Sequence, residues 1–269
     1  MFKKLIKIKE RKMKFGVCCD YEKLPLVIAA GYDYIELNMT RLIKMDDVEY
    51  AKLVNIFDES PIKAETYNCF FPGEIRLVGD TFDLGAIRAF AAKGFERAAR
   101  IGGRVAVLGS GGQRRIPEGY DRETAVRQFT EVMRVVGDEA AKVGMTVALE
   151  PLNFWETNLV NRVSEGYELV KSVSHPNVKM LVDFYHLAMV GDTADDVIAL
   201  GSDLVHCHIA RPDRDRRVPA SESDLEACKA WAEALKEIGY DGRISVEASM
   251  PDFENDIAVV RTALDIFRA

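Results

Sequence analysis

Eight times along this chain, a short run of β-branched and apolar residues is followed by an amphipathic stretch of roughly ten to twenty residues. No other feature restricts the fold as much. Parallel neighbours in a sheet need crossover helices, and even strand–helix alternation with short connections is what a parallel sheet requires. The strands are expected at Lys14–Cys18, Tyr34–Leu37, Ile62–Tyr67, Val105–Leu108, Val147–Leu149, Val178–Val182, Leu204–Ile209 and Ile244–Glu247. The helices are expected at Glu22–Ala30, Asp46–Asp58, Leu84–Arg100, Arg122–Val143, Ser164–Val173, Ala194–Leu200, Glu222–Ile238 and Asp252–Phe267. Gly31, Gly144, Gly201 and Gly239 follow four of these helices as stops. A chain of 269 residues suits one (β/α)8 barrel, the TIM barrel, which needs roughly 250. An open doubly wound sheet fits less well, because the alternation is even and no Gly-x-Gly-x-x-Gly follows the first strand.

Charge and cysteine content narrow the function classes. The chain carries −7 overall, and residues 1–12 hold six Lys/Arg and one Glu, a net of +5. The remainder is therefore −12, a poor footprint for nucleic acid, which wants a clustered basic face. Residues 1–12 lack an apolar core and a small-residue cleavage site, so they read as a basic extension ahead of a catalytic domain at 13–269, not as a signal peptide. No apolar run approaches the roughly 20 residues of a membrane span, and no membrane role is expected. Five cysteines (Cys18, Cys19, Cys69, Cys207, Cys228) with no Cys-x-x-Cys spacing fit a reduced, cytoplasmic compartment.

In barrels of this kind chemistry gathers at the C-terminal ends of the strands. That rule selects Glu36, Tyr67/Asn68, Glu150, Asp183, His208 and Glu247. The last four terminate four successive apolar runs, and acids in such positions are seldom buried unless paired or metal-bound. Three carboxylates and one imidazole make a hard site that suits Mn²⁺, Mg²⁺ or Co²⁺ better than a structural Zn²⁺. Cys207 lies between His206 and His208, and strand alternation turns it away from their side, into packing. His186, Glu156 and the run Arg211, Arg214, Arg216 and Arg217 are candidates to hold a substrate's oxygens. The loop Gly109–Arg115 admits a phosphate cradle, although it lacks the Lys-Ser/Thr of a P-loop, and reads better as a flexible lid. Phe70, Phe71, Phe154 and Trp155 are expected near the mouth, over substrate or at a subunit contact.

The set Glu150…Glu156, Asp183-Phe184-Tyr185-His186, His206-Cys207-His208 and Ser245-Val246-Glu247 resembles the xylose-isomerase-like barrel superfamily. The resemblance is to its ketose 3-epimerase and hydroxypyruvate-isomerase branch, often labelled sugar phosphate isomerase/epimerase, and covers the chain from about residue 14. It implies that Glu150, Asp183, His208 and Glu247 bind one divalent metal, Mn²⁺ foremost, and that the two glutamates are the acid/base pair. It implies that Glu156, His186 and an Arg after His208 contact a small sugar or sugar phosphate, and that the protein is a homodimer or homotetramer. Arg216-Arg217-Val218-Pro219 matches the family's wording better than Arg214 does. Phe154-Trp155 depart from it, since a basic residue is common before the second glutamate. The implied chemistry is proton abstraction next to a carbonyl through an enediolate. A ketose 3-epimerase heads the readings, with an inosose-type dehydratase or a hydroxypyruvate-type aldose–ketose isomerase as alternatives. A non-enzymatic ligand-binding barrel would need no pair of carboxylates around one metal.

Overall fold

The computed structural model describes residues 13–268. Eight parallel strands close into one barrel in sequence order. They are β1 (Lys14–Cys18), β2 (Tyr34–Asn38), β3 (Lys63–Asn68), β4 (Val105–Leu108), β5 (Thr146–Leu149), β6 (Val178–Asp183), β7 (Leu204–Ile209) and β8 (Arg243–Val246). β1 closes the ring on β8, with Phe15 opposite Ile244 and Gly16 opposite Ser245. The residues expected at 1–12 as a basic extension lie outside the described part of the chain.

The outer layer holds α1 (Leu24–Ala29), α2 (Met39–Lys44), α3 (Asp47–Glu59), α4 (Leu84–Arg100), α5 (Gly111–Arg114), α6 (Arg122–Lys142), α7 (Val163–Val173), α8 (Phe184–Val190), α9 (Ala194–Ile198), α10 (Glu222–Glu237) and α11 (Phe253–Ala263). The long helices start on side-chain caps: Asp83 accepts from Gly85 N and Ala86 N before α4, and Asp121 from Thr124 N before α6. Gly144 and Gly239 end α6 and α10 at φ +69° and +64°, a backbone that suits glycine. Two expected helices shrink. The first keeps only Leu24–Ala29 behind a 3₁₀ turn at Tyr21–Lys23, and the last ends at Ala263 and passes into a 3₁₀ turn. α2, α5 and α8 were not expected, since at six, four and seven residues they show too little of the helical period to be read. No helix among the described residues is long and apolar enough to cross a membrane.

The barrel interior is divided. On β4, β5 and β6 it is apolar, built from Val105, Val107, Ala148 and Leu181. On the opposite side it is polar. Tyr34 hydroxyl bonds to Ser245 Oγ at 2.8 Å, in space left by Gly16, where an added Cβ would sit 2.2 Å from the Tyr34 ring. Above them lie Glu36, Thr66, His206 and His208, all fully buried. Register irregularities occur in β2–β3 at Ile35/Glu36 and in β6–β7 at Met180/Leu181, just before Glu36 and Asp183. Phe70 and Phe71 belong to the core, 0% and 3% exposed, which corrects their expected place at the mouth. Their rings pack on Phe95 and Phe90 of α4. Tyr67 is also internal, its hydroxyl donating to Ala64 and Ala98 carbonyls.

Candidate active site

Four neighbouring strands deliver the four expected ligand residues. Glu150 follows β5, Asp183 ends β6, His208 lies one residue before the end of β7, and Glu247 follows β8. Each turns one ligand atom to a common point, and these atoms all lie within 4.8 Å of one another. His208 Nδ1 is 3.4 Å from Glu150 Oε1 and 3.2 Å from Glu247 Oε2. Glu150 Oε1 and His208 Nδ1 are buried and have no hydrogen-bond partner. Leaving two such atoms unsatisfied costs about 1–3 kcal/mol each or more, unless something else meets their lone pairs. Three carboxylates and an imidazole fit a hard divalent cation, and the two orphaned atoms point where it would lie.

The electrostatics favour positive charge at that point. Burial alone would lower the His208 imidazole, yet the surrounding Glu36, Glu247 and Glu150 push it well above the ordinary histidine range. The potential that keeps a proton on His208 would equally hold a cation in its place. The two glutamates are driven apart. Burial raises the Glu150 carboxyl, and the Glu247 charge adds to the rise against the pull of His208. Burial acts the same way on Glu247, but His208 and Arg216 outweigh it and hold that carboxyl well below the usual range.

The next layer fixes these groups. Asn68, at the end of β3, donates to Glu247 Oε1 at 2.7 Å. Below the site Glu36 faces both His206 and His208 and does not reach the open mouth, so its expected position at the rim is corrected. Cys207 is buried in the helix-side core, turned away from its two histidine neighbours. Arg114 is fully buried and donates to the backbone carbonyls of Glu150 (2.8 Å) and Val160 (3.1 Å). Arg115 donates to the Trp155 carbonyl at 2.6 Å. The Gly109–Arg115 loop is therefore part of the rim, pinned to the segment after Glu150. Neither the phosphate cradle nor the free lid expected there describes it, because both arginines are occupied by backbone oxygens.

Around the opening, Arg216 reaches the ligand carboxylates. Its Nη2 lies 2.5 Å from both Asp183 Oδ2 and Glu247 Oε2, and its guanidinium stands 4.7 Å from the Tyr185 ring centre. Of the other three arginines of that loop, Arg211 pairs with Asp213, Arg217 with Asp256, and Arg214 lies 5.7 Å from the Trp155 ring, on the wall of the cleft beside Glu156. His186 accepts at Nδ1 from Asn153 N (3.2 Å), and a backbone N–H can only donate. Its neutral form thus carries the proton on Nε2, which sits 3.6 Å from Asp183 Oδ2 and 3.9 Å from Glu156 Oε1. Glu156 lines a cleft of about 230 Å³ with Asn153, Trp155, Tyr185 and Arg214. Asn153 went unread in the sequence, where no periodicity marks it. Phe154 and Trp155 are more than half exposed on this rim.

Four non-glycine residues with positive φ lie in the segments after the strands: Cys69 (48°), Ser110 (42°), Val160 (62°) and Arg216 (46°). Such backbone costs about 1–3 kcal/mol per residue and persists where the surroundings over-determine it. Arg114 provides one such restraint, through the Val160 carbonyl.

Comparison with known proteins places this architecture. The family model described as "Xylose isomerase-like TIM barrel" matches residues 24–269. D-psicose 3-epimerase of Ruminiclostridium cellulolyticum is 34% identical over 131 residues, 47% of this chain and 41% of that protein. L-ribulose 3-epimerase of Methylomonas sp. is 27% identical over 228 residues, 81% of this chain and 74% of that one. The matches to the first of these and to a probable ketose 3-epimerase of Synechocystis span only 41% of each relative's length. Among solved structures, D-psicose 3-epimerase with D-tagatose from Clostridium cellulolyticum superposes with a TM-score of 0.78 at 22% identity, covering 95% of this chain and 98% of that one. At that identity the likeness is one of fold.

Proposed function

The chain belongs to the xylose isomerase-like TIM barrel family, and on that footing we propose that it is a metal-dependent ketose 3-epimerase, an isomerase of small carbohydrates. One observation carries the reading: Glu150 and Glu247, from β5 and β8, converge on a single point beside His208 Nδ1. Removing the proton from the carbon next to a ketose carbonyl leaves the C–H electron pair in an enediolate. Returning a proton to that carbon from the opposite face inverts it, with no net gain or loss of atoms. The step needs a base on one face and an acid on the other, and this is the work assigned to Glu150 and Glu247. Environments that drive two carboxyls apart support such a division of roles.

Glu150, Asp183, His208 and Glu247 would hold the divalent cation, Mn²⁺ foremost, with Mg²⁺ and Co²⁺ also suited to the donor set. Bound there, the cation supplies Lewis-acid polarisation of the ketose carbonyl. Glu156, the Nε2–H of His186 and the guanidinium of Arg216 are assigned to substrate oxygens. Five free cysteines fit a reducing, cytoplasmic setting. A homodimer or homotetramer belongs to the same reading, with Phe154 and Trp155 as exposed apolar contacts.

The test is to incubate metal-stripped protein with Mn²⁺ and a panel of free and phosphorylated ketoses in D₂O, following C–H signals by NMR. Loss of the C3–H signal that requires Mn²⁺, together with a new C3 epimer, is expected. Metal binding with no exchange on any ketose would overturn the epimerase assignment.

The rim makes a second expectation. A Cβ added at Gly109 would lie 2.3 Å from Glu150 Oε2, closer than real contacts allow. Gly109→Ala should therefore displace the carboxylate, and a misplacement of this size costs about 10²-fold in kcat/KM. Steady-state kinetics beside a thermal melt check it. Unchanged kinetics in a folded variant would show that the carboxylate does not need this position.

A further inference from the structure

Beneath the four ligand residues lies a buried acid that the proposed chemistry does not use. Glu36, on β2, is 0% exposed, and three polar side chains converge on its carboxylate. Thr66 Oγ1 donates to Oε2 at 2.7 Å, His206 Nε2 lies 2.8 Å from Oε2, and His208 Nε2 lies 2.9 Å from Oε1. His206 is itself held. Its Nδ1 is 3.0 Å from the Arg243 carbonyl, which can only accept, so that nitrogen donates and Nε2 is left facing Glu36. An acid removed from water in a barrel interior is costly unless its partners are fixed, and here β2, β3 and β7 fix all of them.

We propose that Glu36 is the positioning residue of the cation site: by accepting from His208 Nε2, it commits the ring so that the lone pair of Nδ1 faces Glu150, Asp183 and Glu247. The two ring nitrogens of a neutral imidazole are one donor and one acceptor, so a hydrogen bond at one decides the other. Nδ1 is the nitrogen without a hydrogen-bond partner, 3.2–3.4 Å from the two glutamates, and Nε2 is the one against Glu36. The negative charge of Glu36 also makes Nδ1 a stronger ligand, as acids behind metal-bound imidazoles do. The arrangement excludes a competitor. Cys18, Glu36 and His208 likewise offer atoms within 4.8 Å of one another, and a cation there that took His208 through Nε2 would displace the contact of that nitrogen with Glu36. The two donors already on Glu36, Thr66 Oγ1 and His208 Nε2, disfavour that choice. This inference rests on the metal reading of the site.

The experiment measures Mn²⁺ dissociation constants for the wild type and Glu36→Gln, with thermal melts of both metal-free proteins. Gln keeps the shape and still accepts from His208 Nε2, but it lacks the charge. The expected result is affinity weakened by about 10- to 100-fold in a variant that melts no lower than the wild type. Equal affinity in Glu36→Gln overturns the contribution of the Glu36 charge, and equal affinity in a folded Glu36→Leu, which accepts nothing from His208 Nε2, overturns the positioning role; either leaves the site itself standing. A wild type that binds no Mn²⁺ overturns the site. Should Glu36→Gln fail to fold, the Mn²⁺-loaded wild type decides the matter by anomalous diffraction. An ion beside Nδ1, with Nε2 against Glu36, is expected. An ion between Cys18, Glu36 and His208, beside Nε2, overturns the proposal.

Discussion

Glu150→Gln and Glu247→Gln, each assayed at saturating Mn²⁺, are expected to lower turnover by about 10²–10⁴-fold with the barrel intact. Gln is close to Glu in shape, so packing is preserved. Asn68 and Arg216 donate to different oxygens of Glu247, Oε1 and Oε2, so the single carbonyl oxygen of the Gln variant keeps one of the two bonds. What is lost is the ability to take up and release a proton. Stability should not fall in Glu150→Gln, whose charge burial and Glu247 disfavour, and should fall in Glu247→Gln, whose charge His208 and Arg216 favour. Deuterium exchange separates the two roles. Each single variant keeps one working carboxylate, so each should still exchange C3–H on one epimer while failing to convert it to the other. Near-normal turnover in either folded variant would remove that glutamate from the reaction.

Stripping the metal is expected to abolish turnover and to lower the melting temperature together. A ligand that binds only the folded state at 100 times its dissociation constant stabilises by about 2.7 kcal/mol, which for a domain of this size corresponds to about 5–10 °C. The physical source is local. Without a cation, Glu150 Oε1 and His208 Nδ1 remain buried without partners, and Glu150 is left with a raised pKa beside Glu247. Restoring Mn²⁺ should return activity along the binding curve, while the melting temperature keeps rising with the logarithm of free Mn²⁺ above Kd. Full activity after exhaustive chelation, with no thermal shift, would sink the metal site.

Much of this was legible in the residues alone. The strand ranges agree with the structure to within a residue or so, because a run such as Val105–Leu108 is too apolar to lie anywhere but inside. Glu150, Asp183, His208 and Glu247 were singled out because each ends such a run, and strand ends in a closed barrel share one rim, where the structure brings the four together. Arg216 was favoured over Arg214 on resemblance, and it is the one of the two that pairs with the carboxylates of Asp183 and Glu247. The misses have a common cause. α2, α5 and α8 span two turns or fewer, too few repeats of the helical period to be read. Phe70 and Phe71 were placed at the mouth because a loop is ordinarily on the surface, and here the loop after β3 folds inward onto α4.

By itself the sequence determined the number of strand–helix units, the inward side of β7, and the four residues of β5 to β8 that arrive at the rim. These follow from periodicity, which is local. Only the closed tertiary structure decided which inward residues meet. Glu36 and His208 are 172 positions apart and 2.9 Å from each other, and Asn68 reaches Glu247 across 179. Those distances depend on the tilt of the strands and on the register shifts at Ile35/Glu36 and Met180/Leu181. Ring closure sets them for all eight strands at once, and no single stretch of the chain encodes them.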